Sequence, residues 1–307
     1  MPRTLRLIQA GACLGALFIM TAPALAERHD WAPRGALLRN QVRFLKVLPF
    51  AACLGLGLGL AAGWRARRGR QERATDGKVA RHAPLVIAAH WVNAVGIMLA
   101  MATGIVQYRL LWRSAPLDRV YQLHFVGASM VVFAVALYLA HALTLGRYGI
   151  LWRRGDLARL LLQVRRRNRP GDREAGKYSP YSRLVSFPIW AFIIALALVT
   201  GALKAFRYIY NPLPGPVLFF ISALHVSTLF LAGAKLLEHL IRYLALPSHW
   251  GLLRSMFGRP LSRAYVQERH PAWYRELFGA EGSIEEREPP GNRRPGLPKP
   301  ESGQPVA

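Results

Sequence analysis

The sequence predicts an all-α membrane protein of five transmembrane helices behind a cleavable signal peptide. Three observations predict it. Five apolar runs are each long enough for the roughly 20 residues that a helix needs to cross a bilayer. The 41 Lys and Arg residues, which leave a net charge of +25 over 307 residues, cluster in blocks between those runs. A chain that is 52% hydrophobic must satisfy its backbone hydrogen bonds internally wherever lipid replaces water, and helices do this within one segment. Basic blocks can also mark nucleic-acid binding, but here they flank spans of bilayer length, so no nucleic-acid partner is expected.

The elements follow in order. Residues 1–26 read as a secretory signal: Arg3 and Arg6 give a basic start, an apolar stretch follows, and Ala24-Leu25-Ala26 offers a cleavage site before Glu27. A short periplasmic segment, 27–43, then leads to the first span at 44–64. The remaining spans are 84–106, 121–145, 184–206 and 216–244. The loop 64–82 holds seven Lys/Arg and the loop 145–183 holds eleven, against three in 107–120 and one in 207–215. The excess of positive charge assigns the two rich loops to the cytoplasm, which leaves the mature N-terminus periplasmic and the C-terminus cytoplasmic, in a bacterial inner membrane. Within the long loop, "DLARLLLQVRRR" (156–167) is amphipathic, either a helix along the membrane surface or a charged connector. A cytoplasmic tail is expected over 246–280. Residues 281–307, rich in Pro, Gly and charge, are expected to be disordered.

Two cysteines, Cys13 and Cys53, one of them in the signal, predict no disulfide in the mature chain. No C-x-x-C-H is present, so covalently attached haem is excluded, and no cysteine cluster provides an iron–sulfur centre.

Five histidines lie within or at the ends of the spans: His90, His124, His141, His225 and His239. Ionisable groups in a membrane are costly and mark function. His225 and His239 are 14 residues apart on one run, which on an α-helix is about 21 Å and about 40° short of four full turns. They share a face but lie near opposite membrane surfaces, too far apart to share a metal as zinc ligands do. His124, near the outer start of its span, matches His225 in depth. His90, near the inner start of its span, matches His239. Neutral imidazole is a good axial ligand for haem iron, and two imidazoles per iron leave no position for oxygen chemistry, so such haems carry electrons. His141, turned about 100° from His124, is the competing ligand near the inner surface. His82, His249 and His270 lie outside the spans and are expected to be solvated.

Gly104, 14 residues after His90, and Gly127, about one turn past His124, suit either clearance for a flat ring or helix packing through small residues. "LAMATGI" (99–105) and "LALVTGA" (196–202) echo one another, each placing Thr-Gly at the outer end of a helix. Near the inner surface Glu238 adjoins His239, either handling protons or pairing with Lys235 at i,i+3.

"HW" at 90–91 with "TG" at 103–104, "HFVG" at 124–127, "GKY" at 176–178 and "LH" at 224–225 with His239 together resemble the b-type cytochrome (gamma) subunits of membrane-bound formate dehydrogenases, within a wider di-haem cytochrome b family that includes nickel–iron hydrogenase subunits. The resemblance covers about 80–245. It implies a four-helix transmembrane di-haem bundle, with span 44–64 as an extra N-terminal helix. It implies two b-type haems, an outer one held by His124 and His225 and an inner one held by His90 and His239. It also implies a quinone near Lys177, Tyr178, Ser179 and Glu238, partnership with an iron–sulfur subunit and a molybdenum-containing catalytic subunit, and a role in anaerobic respiration. Quinone reduction is then the only chemistry on this chain. After Lys-Tyr the family typically has Asn-Ala-Gly-Gln, where this chain has Ser179-Pro180-Tyr181-Ser182. A nickel–iron hydrogenase or thiosulfate reductase partner, a histidine-using proton or metal transporter, and a cofactor-free anchor are the alternatives.

Overall fold

A computed structural model describes residues 34–68, 74–75, 78–108, 116–145, 149–165, 176–206 and 213–279. The expected signal peptide and Pro-rich tail lie outside the described residues. Five helices are long and apolar enough to cross a membrane. They are α1 (Arg34–Arg68), α2 (Pro84–Gln107), α3 (Leu117–Leu145), α5 (Phe187–Phe206) and α6 (Gly215–Leu244), with the short α4 (Asp156–Arg165) between α3 and α5. The spans agree with the hydropathy reading. The first helix begins earlier than expected, so 34–43, read as a connecting segment, is helical. Large apolar side chains such as Phe50, Phe192 and Phe220 point outward, as helices solvated by lipid tails allow.

Small residues decide which helices touch. Gly55, Gly59 and Gly63 stand one turn apart on α1. A Cβ at Gly55 would collide with the backbone oxygen of Phe133, one at Gly59 with that of Leu137, and one at Gly63 with Thr144. This stripe lets α1 lie closely along α3. Gly96 and Gly127 form the crossing of α2 and α3, where a Cβ at Gly127 would lie 2.8 Å from the Gly96 oxygen. Gly127 therefore serves helix packing. Gly104 has nothing within 4 Å of its Cβ position and faces open space. Helices α2 and α3 pack as one pair and α5 and α6 as another, and α2 meets α6 only sparsely between them.

The C-terminal region departs most from expectation. Residues 246–279 are a folded cap rather than a tail. It contains α7 (Trp250–Ser255), α8 (Arg263–Arg269) and α9 (Pro271–Phe278). A small antiparallel sheet joins it to the loop before α2, with β2 (Lys78–Val79) between β1 (Ala74–Thr75) and β3 (Leu261–Ser262). Val79, Leu261, Val266, Trp273 and Tyr274 form its core. His270 is buried here, and His82 and His249 are half-buried, so the expectation that all three are solvated is corrected. The cause is the cap itself, which closes over them.

The helix α4 is tied down by a buried ion pair. Arg183 donates from Nε and Nη2 to Asp156 at 2.7 and 2.6 Å, with side-chain exposures of only 3% and 1%. That bond holds the Asp156 carboxyl below the usual carboxylate range despite its burial. Arg183 sits in a π-helical turn, Ser182–Ser186, that leads into α5. On α4 the side chains of Leu157, Leu161 and Leu162 are exposed, which suits a helix lying at the lipid interface.

Candidate functional site

The four matched histidines meet two by two. His124 on α3 faces His225 on α6, with ring centres 6.2 Å apart. His90 on α2 faces His239 on α6, with ring centres 6.4 Å apart. Because α6 is continuous between them, the 14-residue spacing sets the pairs about 21 Å apart along its axis. All four rings are half-buried. His141 is buried on α3, 7% exposed. Among the described residues no cluster of three or more His, Cys, Asp and Glu side chains forms.

The first pair is oriented by two threonines. The Oγ1 of Thr103 lies 3.0 Å from His124 Nδ1, and that of Thr200 lies 2.9 Å from His225 Nδ1. Each threonine spends its only hydroxyl proton on the carbonyl one turn back, Leu99 at 2.6 Å and Leu196 at 2.5 Å. Its oxygen is left to accept, so each imidazole must donate from Nδ1. The Ala100 carbonyl, 3.1 Å from His124 Nδ1, can only accept and fixes the same tautomer. Both histidines thus carry the proton on Nδ1 and a lone pair on Nε2, the form that binds a metal. The Thr-Gly echo in the sequence was the signal for this contact, without a role attached. Gly201 is part of it: a Cβ there would lie 3.1 Å from His225 Cε1.

The second pair stands beside a charged cluster. Lys235 Nζ donates to Glu238 at 2.6 Å, and Arg242 Nε donates to the other carboxylate oxygen at 2.9 Å. Tyr181 Oη donates to the same oxygen at 3.3 Å, with Arg242 4.1 Å from its ring centre. Lys235 and Glu238 are therefore the ion pair read from their spacing, and Arg242 and Tyr181 are additions to it. The i,i+4 spacing of Glu238 and Arg242 made the first legible; nothing local pointed to Tyr181. His239 also packs against Tyr243, ring centres 4.7 Å apart.

The loop at 176–179 is held at the cap. His270 Nδ1 donates to the Gly176 carbonyl at 3.0 Å, and Arg81 donates to that of Lys177 at 2.6 Å. Lys177 Nζ stands 5.6 Å from the Trp273 ring centre, and Tyr178 meets Phe187 edge-on at 5.3 Å. Ser179 Oγ accepts from the Ser182 amide at 3.1 Å and touches its hydroxyl, which caps the turn into α5. Of the four residues expected around a quinone, Glu238 is reached from this loop by Tyr181 rather than by Ser179.

The family model described as prokaryotic cytochrome b561 matches residues 81–259. The chain is 26% identical over 130 residues to proteins named formate dehydrogenase, nitrate-inducible, cytochrome b556(Fdn) subunit, from Escherichia coli K12 and O157:H7 and from Shigella flexneri. The match spans 42% of this chain and 57% of each relative.

Proposed function

Because the chain belongs to the prokaryotic cytochrome b561 family, we propose that it is a membrane-anchoring di-haem subunit passing electrons between a periplasmic dehydrogenase and the quinone pool of the bacterial inner membrane. The family brings b-type haem, and the chain is a membrane electron-transfer subunit related to the cytochrome b of formate dehydrogenase. One observation carries the di-haem reading: four histidines from three helices meet as two facing pairs. An imidazole that ligates a metal through nitrogen has its ring centre about 3 Å from it, so two on opposite sides of one metal stand about 6 Å apart. The pairs stand at 6.2 and 6.4 Å. Open space at Gly104, and a buried Asn93 oxygen with no hydrogen-bond partner among the described residues, also fit bound groups.

In this reading His124 and His225 ligate the outer haem, and His90 and His239 the inner one. Each haem supplies a one-electron iron couple when bound. The two imidazoles of each pair would hold the iron from this chain alone, and the helices hold those imidazoles in place. The arginine-rich loops support placing the His90/His239 end at the cytoplasm, where Glu238 and the loop of Lys177, Tyr178 and Ser179 border the quinone. Glu238, held by Lys235, Arg242 and Tyr181, is the carboxylate placed to pass protons during quinone reduction. The relatives' name supports formate dehydrogenase as the complex, with its iron–sulfur and molybdenum-containing subunits as partners.

Purified protein should show b-type bands in a reduced-minus-oxidised spectrum, with two haems per chain. His225→Ala should leave one haem; retention of both would refute the pairing. A nickel–iron subunit co-purifying in place of a molybdenum one would overturn the partner assignment.

A further inference from the structure

"TGIVQ" (103–107) on α2 and "TGALK" (200–204) on α5 behave as one cassette used twice. In each, the threonine binds Nδ1 of a histidine on the following helix. In each, the next residue is a glycine, tight against the His225 ring at Gly201 and facing open space at Gly104. The fifth residue lies four positions beyond the threonine, on the same face and about 6 Å further toward the outer end. In both copies it is a hydrogen-bond donor.

The two donors differ in their partners. Gln107 Nε2 is buried with no hydrogen-bond partner among the described residues. A buried amide nitrogen left so costs roughly 1–3 kcal/mol and calls for an explanation. Lys204 Nζ donates to the Tyr108 hydroxyl at 3.4 Å, which joins the outer ends of α2 and α5. Tyr108 is only 4% exposed. An amide, a phenol and an ammonium are thus gathered one helical turn outward of the His124/His225 pair. Donors of this kind, partly withdrawn from water and one of them cationic, are suited to carboxylates.

The geometry points to Gln107, Tyr108 and Lys204 as the seat of the two propionate groups of the outer haem. This rests on the reading that His124 and His225 ligate that haem. It orients the ring with its carboxylates toward the outer surface, and it sets a cation beside them that favours the reduced, less positive iron. The twice-used cassette then does three things at one haem: it fixes the ligand tautomer, clears the ring edge and receives the acids.

The test uses full-length protein in detergent, loaded with haem carrying carbon-13 at the propionate carboxyls. Infrared redox difference spectra and potentiometric titration are compared for the wild type, Lys204→Met, Lys204→Arg and Gln107→Leu. The outer haem is the signal that His225→Ala removes. Lys204→Met is expected to shift the labelled carboxylate band and lower the outer midpoint potential while haem content stays at two per chain, with Lys204→Arg restoring both. Gln107→Leu is expected to shift the band alone. Should Lys204→Met fail to fold, Gln107→Glu sets a carboxylate against the propionates and should loosen the outer haem. Unchanged bands and potential at full haem content would overturn the assignment, as would full retention in Gln107→Glu. A wild type without b-type haem would instead sink the proposed function itself.

Discussion

At the scale of single residues, His124 and His225 differ from His90 and His239 in how their protons are held. Thr103 and Thr200 accept from Nδ1 of His124 and His225, whereas among the described residues His90 and His239 make ring contacts but no hydrogen bond. A hydrogen bond to the far nitrogen raises the basicity of a ligand and favours the oxidised metal. With the proposed haem held by His124 and His225, Thr200→Val should therefore raise that haem's midpoint potential and weaken its retention by about 10–100-fold, while Thr200→Ser should preserve both. Potentiometric titration and haem-loss kinetics measure these, and a valine variant indistinguishable from the serine one would exclude the role. The histidines were legible from spacing alone, because a helix converts sequence separation directly into depth and azimuth. The threonines were visible only as a repeat, because the contact each makes crosses to another helix.

At the scale of elements, α1 owes its place to a backbone approach that a side chain would block. Gly59→Leu drives a side chain into the Leu137 carbonyl and the Ala140 Cβ, which would lie 2.8 Å from the new Cβ. Overpacking of this kind costs about 1–3 kcal/mol. Gly57, two positions away, has open space, and Gly57→Ala should be neutral. Thermal unfolding in detergent should separate the two, and equal midpoints would show that α1 does not depend on this face. The short α4 hangs on one ion pair. Asp156→Asn leaves the buried Arg183 cation without its counter-charge, an effect of about 3–5 kcal/mol for a buried pair. Limited proteolysis of 149–165 should accelerate; an unchanged cleavage rate would refute the tether. The amphipathic pattern of 156–167 announced a helix, but its anchor, 27 residues away, was not in the pattern.

At the scale of the whole molecule, the cap joins the loops before α2 and before α5 to the C-terminal segment and fixes the loop at 176–179. Burial, with the Arg81 guanidinium beside it, pushes the His270 imidazole down to about 4 from 6.5. Arg81, His249 and Arg269 are the charged or titratable groups acting on it. Between those values the unfolded cap binds a proton that the folded cap does not, so stability falls as pH drops from about 6.5 toward 4. Amide exchange over 176–179, corrected for its intrinsic rate, should rise on acidification from pH 7 to 5. His270→Asn, which does not titrate and can still donate to Gly176, should flatten that rise; an identical pH profile would rule His270 out. The sequence offered a tail here because the strand partners, Lys78 and Ser262, are too far apart for any local period to join.

By itself the sequence determined the five apolar spans, the length of each and the spacing of the histidines along them. Bilayer thickness fixes helix length and the helical rise fixes spacing along the axis, so local pattern suffices for these. Only the tertiary structure decided that the rings meet in pairs, that Thr103 and Thr200 fix their protons, that Glu238 is reached by Tyr181, and that 246–279 folds as a cap. Each of these is a contact between distant segments, set by which small residues let two helices approach and which apolar side chains close a core, and no single segment carries that information.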